Sequence, residues 1–135
     1  MNNKIKSVNP SSLGVPKKSY SQGMLIPLGD AEILFVTGQI AQDAEGNVVA
    51  PNNAKIQTEI VFSRIANILK EGGMTMDNVV KTQIFLTNIK DSSIVSSVRD
   101  EVFKVSRPVS TLVGVSGLVK EGCCVEIEVT AIKIK

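Results

Sequence analysis

The chain has 135 residues, 43% of them hydrophobic and 21% charged, a composition that suits one compact domain spanning residues 1–135 around one core. Fifteen Lys and Arg against thirteen Asp and Glu leave a formal net charge of +2, short of the concentrated positive face that non-specific nucleic-acid binding needs. There is no histidine, which excludes Ser-His-Asp and Cys-His nucleophile pairs, histidine acid–base catalysis and the usual histidine-containing zinc sites.

Lys4 and Lys6 near the start have no apolar stretch behind them, so no secretory signal is read, and no apolar run reaches transmembrane length. A cytoplasmic protein without membrane contact is the expectation. Ile33 to Thr37 is apolar and β-branched and ends at Gly38, which predicts a mostly buried strand. Asp43 to Asn47 is turn chemistry. From Ala54 the apolar spacing changes: Thr58, Val61, Phe62, Ile65, Ile68 and Leu69 recur at three and four, one stripe of a helix that Gly72 and Gly73 stop. Ile56 and Ile60 fall toward its other side, a weak sign of a partner surface.

Val79 to Leu86 reads as a strand with Val80, Thr82, Ile84 and Leu86 on one face and Lys81, Gln83 and Phe85 on the other. Asp91, Ser92 and Ser93 offer N-cap chemistry for a second helix whose apolar positions are Ile94, Val95, Val98, Val102 and Phe103. Two final strands are predicted at 111–117 and 124–133. The second alternates Val125, Ile127 and Val129 with Glu126, Glu128 and Thr130. Adjacent Cys123 and Cys124 suit opposite faces of a strand as free, packed thiols better than a bridge.

Strands, helix, strand, helix and two strands predict an α+β fold with a mixed sheet and two helices on one face. The other face then needs cover. Val113, Val115, Val125, Ile127 and Val129 are read as an apolar surface there, for which self-association is the natural solution.

Ser19-Tyr20-Ser21-Gln22-Gly23, Val36-Thr37-Gly38-Gln39-Ile40 and the segment from Arg107 through Ile132 together resemble the RidA/YjgF family, reactive-intermediate deaminases that hydrolyse enamines and imines. The resemblance covers nearly the whole chain. It implies a chorismate-mutase-like fold, a homotrimer around a central sheet barrel, and a small-molecule ligand in clefts between subunits. Neither the residues nor the resemblance requires a cofactor or a metal.

The resemblance makes Glu126 the residue that positions the water attacking the C=N carbon. Read without the resemblance, Glu126 and Glu128 are ordinary polar-face residues of an edge strand. Tyr20, the one tyrosine, matches a pocket-lining position, against the alternative of a buried tyrosine with a satisfied hydroxyl. At Gly38 the backbone is expected to face the ligand, since a residue without Cβ permits close approach.

Ser110 is the main departure. The family places there an arginine that grips the substrate carboxylate, and serine offers one neutral hydrogen bond in its place, at a cost of about 1.5–3 kcal/mol of carboxylate binding. Arg107, across Pro108, is a candidate to replace it. Ser96, where many catalytic members have asparagine, and Leu112 complete the implied substrate-binding set.

Two functions follow from the resemblance: an imine/enamine deaminase weak on 2-imino acids, or a non-catalytic small-metabolite binding or regulatory trimer using the same cleft. The family's historical endoribonuclease and translation-inhibitor labels find little support in a chain with no histidine, little net charge, and one tyrosine and four phenylalanines as its aromatic residues.

Overall fold

The computed structural model describes residues 4–135. They run in the order β1 (Lys6–Val8), β2 (Gly23–Leu28), β3 (Ala31–Gln39), α1 (Ala54–Glu71), β4 (Val79–Leu86), α2 (Ser92–Val102), β5 (Val109–Gly114) and β6 (Val125–Ile134). The strands form one mixed sheet in the order β1-β2-β3-β6-β4-β5. Neighbours are antiparallel except β4 and β5, which are parallel and therefore need the crossover that α2 provides. The expected α+β arrangement is present.

Local chemistry sets the ends of α1. Asn53 accepts a hydrogen bond from the Ile56 N–H as N-cap. At the other end Gly73 takes a left-handed φ of 79°, its N–H bonds the Lys70 carbonyl, and Met74 N–H bonds that of Leu69, a Schellman stop. The buried stripe of Val61, Phe62, Ile65, Ile68 and Leu69 packs onto Leu34 and Val36 of β3 and onto Ile127, Val129 and Ala131 of β6. Phe62 meets Phe103 edge to face at 5.3 Å, which ties α1 to the end of α2.

The structure corrects several sequence expectations. Val125, Ile127 and Val129 face the helices and are buried, so β6 gives the open face Glu126, Glu128 and Thr130 instead. The apolar area of that face comes from other strands: Phe35 lies opposite Thr130, Phe85 opposite Glu126, and Val113 pairs with Phe85. Val80 leaves the buried face because a bulge between Val79 and Lys81 shifts the register, so Val79 takes the core position.

Asp91 does not cap α2. It closes a 3-10 turn, Ile89–Asp91, which runs straight into the helix and is capped by the Asn88 side chain. Ile94 is 44% exposed, and Val95 is the one fully buried side chain of α2. The last strands begin at Val109 and Val125 instead of 111 and 124. Cys123 and Cys124 thus precede β6 in a loop and are both buried and free, Cys124 because its N–H and Sγ lie on Gln57 Oε1. Ile60 packs partly against the core, which leaves Ile56 as the exposed isoleucine of α1.

Candidate functional site

Glu126 stands on the open face of β6 and lines a cleft of about 590 Å³ together with Tyr20, Gln22, Gly38, Gln39 and Lys120. A bulge builds this cleft. β3 pairs Val36 with Val129 and then Gln39 with Ile127, so three steps on β3 match two on β6, and the extra residue falls at Thr37–Gly38. The slip rotates Gln39 onto the buried face and brings the Gly38 backbone against the carboxylate. A Cβ on Gly38 would lie 2.6 Å from Glu126 Oε2, a distance at which something must move.

The segment carrying Tyr20 is tied to the same bulge. Thr37 Oγ1 donates to the Ser21 carbonyl at 2.6 Å, Thr37 N–H to the Gln22 carbonyl at 2.8 Å, and Gln22 N–H to Asn9 Oδ1 at 2.8 Å. Tyr20 is 52% exposed, which removes the alternative of a buried tyrosine.

Behind the cleft lies a buried polar chain. Gln39 Nε2 donates to Gln22 Oε1 at 2.8 Å, and its Oε1 accepts from Arg64 Nε at 3.1 Å; Arg64 Nη1 reaches the Gln42 carbonyl at 2.8 Å. Arg64 is 5% exposed, and its Nη2 has no partner among the described residues. Burial works against its charged form and lowers its pKa, while the fields of Tyr20 and Asp43 oppose that shift. Lys120 Nζ closes the rim on Gln42 Oε1 and the Gly46 carbonyl.

The Glu126 carboxyl titrates above the ordinary glutamate value, chiefly because it is partly buried and secondarily because Glu128 lies two residues along the same face. A carboxyl shifted that way is suited to hold a water and to accept and return its proton. No group of three or more potential metal ligands occurs among the described residues.

Arg107 and Ser110 lie elsewhere. With Arg99, Asp100, Phe103, Lys104 and Pro108 they line a second cavity of about 650 Å³ between α2 and β5, which shares no residue with the first. Ser110 Oγ accepts from Arg99 Nη1 at 3.3 Å. Arg107 holds a left-handed φ of 46° immediately before Pro108, a conformation costing about 1–3 kcal/mol for a non-glycine residue. Leu112 is half-buried beside Ile84, and Ser96 is half-buried on α2; neither lines either cavity.

One chain therefore joins Tyr20, Gly38 and Glu126 and holds Arg107 and Ser110 apart from them. Sequence reasoning missed Arg64 and Arg99. Arg64 lay three residues after Val61 and four before Ile68, on the core stripe, where a cation signals a buried partner. Arg99 lay four residues from both Val95 and Phe103, a spacing that turns it toward the core side of α2.

Among known proteins, residues 12–133 match the family model described as Endoribonuclease L-PSP. A RutC family protein of Pyrococcus abyssi is 34% identical over 120 residues, 89% of each chain. A 2-iminobutanoate/2-iminopropanoate deaminase of Bos taurus is 30% identical over 124 residues, covering 92% of this chain and 84% of the relative. The crystal structure of YyfA from Yersinia pestis, described as a protein of unknown function of the conserved Rid protein family, superposes with a TM-score of 0.84 at 35% identity, over 95% of this chain and 98% of that one.

Proposed function

The chain belongs to the Endoribonuclease L-PSP family, the RidA/YjgF proteins, and from that premise we propose that it hydrolyses a small imine or enamine to a carbonyl compound and ammonia. The observation that carries this reading is the half-buried Glu126 carboxylate, its pKa raised, held against the open backbone of Gly38 in a cleft beside Tyr20.

The chemistry needs no histidine. Glu126 holds the water and takes its proton as the oxygen bonds to the C=N carbon. The C=N π pair moves onto nitrogen, which takes up a proton and gives a carbinolamine. Transfer of the hydroxyl proton to that nitrogen, relayed by Glu126, then forms C=O as the C–N bond breaks and ammonia leaves, so one imine and one water give one carbonyl and one NH3. Tyr20 hydroxyl donates to the substrate or the water.

The occupied site lies between copies of a homotrimer, with Arg107, Ser110, Leu112 and Ser96 contributed from beyond the Glu126 cleft. The open sheet face bearing Phe35, Phe85 and Val113 supports self-association. Light scattering after size exclusion tests the assembly: a mass near that of three chains supports it, and a monomer removes it.

The test of function is ammonia release from 2-imino acids generated in situ by an amino-acid oxidase. Turnover by the native chain that disappears in Glu126→Ala supports the reading; turnover unchanged by that substitution overturns it. The serine at 110 favours one second reading, a non-catalytic receptor for small metabolites, which measurable ligand affinity without ammonia release would support.

A further inference from the structure

Every nitrogen of an arginine side chain is a donor, so a carboxamide that faces one must turn its oxygen that way. This constraint runs through the buried chain behind the cleft. Arg64 Nε donates to Gln39 Oε1 at 3.1 Å, which turns Gln39 Nε2 toward the Thr37 carbonyl at 3.0 Å and Gln22 Oε1 at 2.8 Å. Gln22 therefore has its oxygen turned inward, and its amide nitrogen is the end left over.

The protein makes no use of that nitrogen. Among the described residues the sealed side-chain polar atoms without a partner are Arg64 Nη2 and Ser106 Oγ; Gln22 Nε2 also lacks a partner there and so keeps contact with solvent. The residue itself is pinned. Its N–H donates to Asn9 Oδ1 and its carbonyl accepts from the Thr37 N–H, both at 2.8 Å. Gln22 is 5% exposed and lines the Glu126 cleft on the segment that carries Tyr20.

We infer that Gln22 is a ligand-binding residue of this cleft, its Nε2 donating to an acceptor oxygen of the ligand, and that Arg64 is the positioning residue that fixes this polarity through Gln39. Turning Gln22 over would set two NH2 groups face to face, and turning Gln39 over as well would set one against the guanidinium. Each step loses a buried hydrogen bond and leaves donors unmatched. The cleft is thereby biased toward ligands that bring a carbonyl or hydroxyl oxygen to this wall, against those that bring an N–H. That this oxygen is the one added to the C=N carbon rests on the function proposed above; the donor polarity does not.

The experiment is calorimetric titration with 2-oxobutanoate, the stable carbonyl counterpart of a 2-imino acid, with thermal melts establishing that each variant is folded. Native protein is expected to bind. Gln22→Met, which removes the donor, weakens binding about fivefold, and Gln22→Glu, which puts an acceptor in its place, about tenfold or more. Gln39→Glu leaves Gln22 intact but offers it only acceptors, so the Gln22 amide turns inward and the loss matches that of Gln22→Glu. Ala44→Glu, which adds the same charge at the cleft wall without touching the chain, costs a smaller factor. Arg64→Met frees the polarity and weakens binding, whereas Arg64→Lys, still a pure donor, restores most of the affinity whatever its melting temperature.

Native affinity in Gln22→Met, or no native affinity at all, overturns the ligand contact. A loss in Gln39→Glu no larger than in Ala44→Glu, or Arg64→Lys as weak as Arg64→Met, overturns the positioning role. Ammonia release by the same proteins separates the inference from the deaminase reading. Binding that depends on Gln22 without turnover leaves the inference standing and removes the deaminase; turnover with a KM indifferent to Gln22 does the reverse.

Discussion

The two cavities are built by opposite means. The Glu126 cleft is set into the middle of the sheet, where β3 and β6 meet at a bulge, and a buried chain through Gln22, Gln39 and Arg64 backs it. The α2–β5 pocket sits at an edge strand and is shaped by exposed charges, a surface ion pair and one strained residue. In the first, position is enforced by desolvated hydrogen bonds that have no alternative partner; in the second, by contacts that water can replace. The first arrangement leaves its groups little freedom to move, and the second leaves its charges free to rearrange.

Substitutions that exchange rigidity for freedom test that contrast most strongly at Gly38. Gly38→Ala places a methyl on the Glu126 carboxylate, and the flexible acid end yields before the backbone does. Turnover is expected to fall about a hundredfold with little change in the urea midpoint, since small displacements at a reacting centre cost that much. A variant that unfolds with its activity per folded molecule intact would contradict this.

Arg64→Met addresses the buried chain itself. It leaves Gln39 Oε1 and the Gln42 carbonyl without their donor but also relieves a desolvated cation with one idle nitrogen. The balance is a loss of about 1–3 kcal/mol in urea denaturation, larger than any single neutralisation in the α2–β5 pocket. A gain in stability would mean that the orphaned charge dominated.

Glu128→Gln is milder. It removes the like charge along β6 and lowers the Glu126 pKa toward the ordinary value. Water activation requires the ionised carboxylate, so activity is lost as pH falls through that pKa. The acid limb of the pH–rate profile should therefore move down by a few tenths of a unit to about one unit. The raised pKa also means that ionised Glu126 opposes folding: the stability present when it is protonated is lost as pH rises through the folded pKa. Glu126→Gln is accordingly more thermostable than native above that pKa and equal to it only below the ordinary glutamate value of the unfolded chain, as paired melts will read.

The smallest effect belongs to Ser110→Ala. It loses one long hydrogen bond at an exposed edge, about 0.5 kcal/mol or less by thermal unfolding.

Periodicity carried the fold as far as periodicity reaches. The α1 stripe, its glycine stop and the alternation of β6 were all legible because each repeats over many residues. What misled was local. The bulges at Val79–Lys81 and Thr37–Gly38 each slip the register by one residue, and a slip changes which face a side chain joins without changing its neighbours in sequence. Reading apolar Val125, Ile127 and Val129 as outward-facing was an error of side assignment, since alternation fixes which residues share a face but not which face the helices cover.

Tyr20, Gly38 and Glu126, which the structure brings into one cleft, were named from motifs of the resemblance. The arginine behind them was not, because Arg64 lies outside those motifs and meets Gln39 across 25 positions. Arg64 and Arg99 left a sequence signal, cations on apolar faces, that was there to be used.

Cys123 and Cys124 have a practical consequence. Both are buried and unbridged, and burial raises both thiol pKa values, which suppresses the reactive thiolate. A thiol reagent therefore modifies this chain chiefly through molecules that have opened. Because Cys124 is held by Gln57 of α1, the rate of its labelling is a clock for the parting of that helix from the loop before β6, available in the unaltered protein with no probe attached.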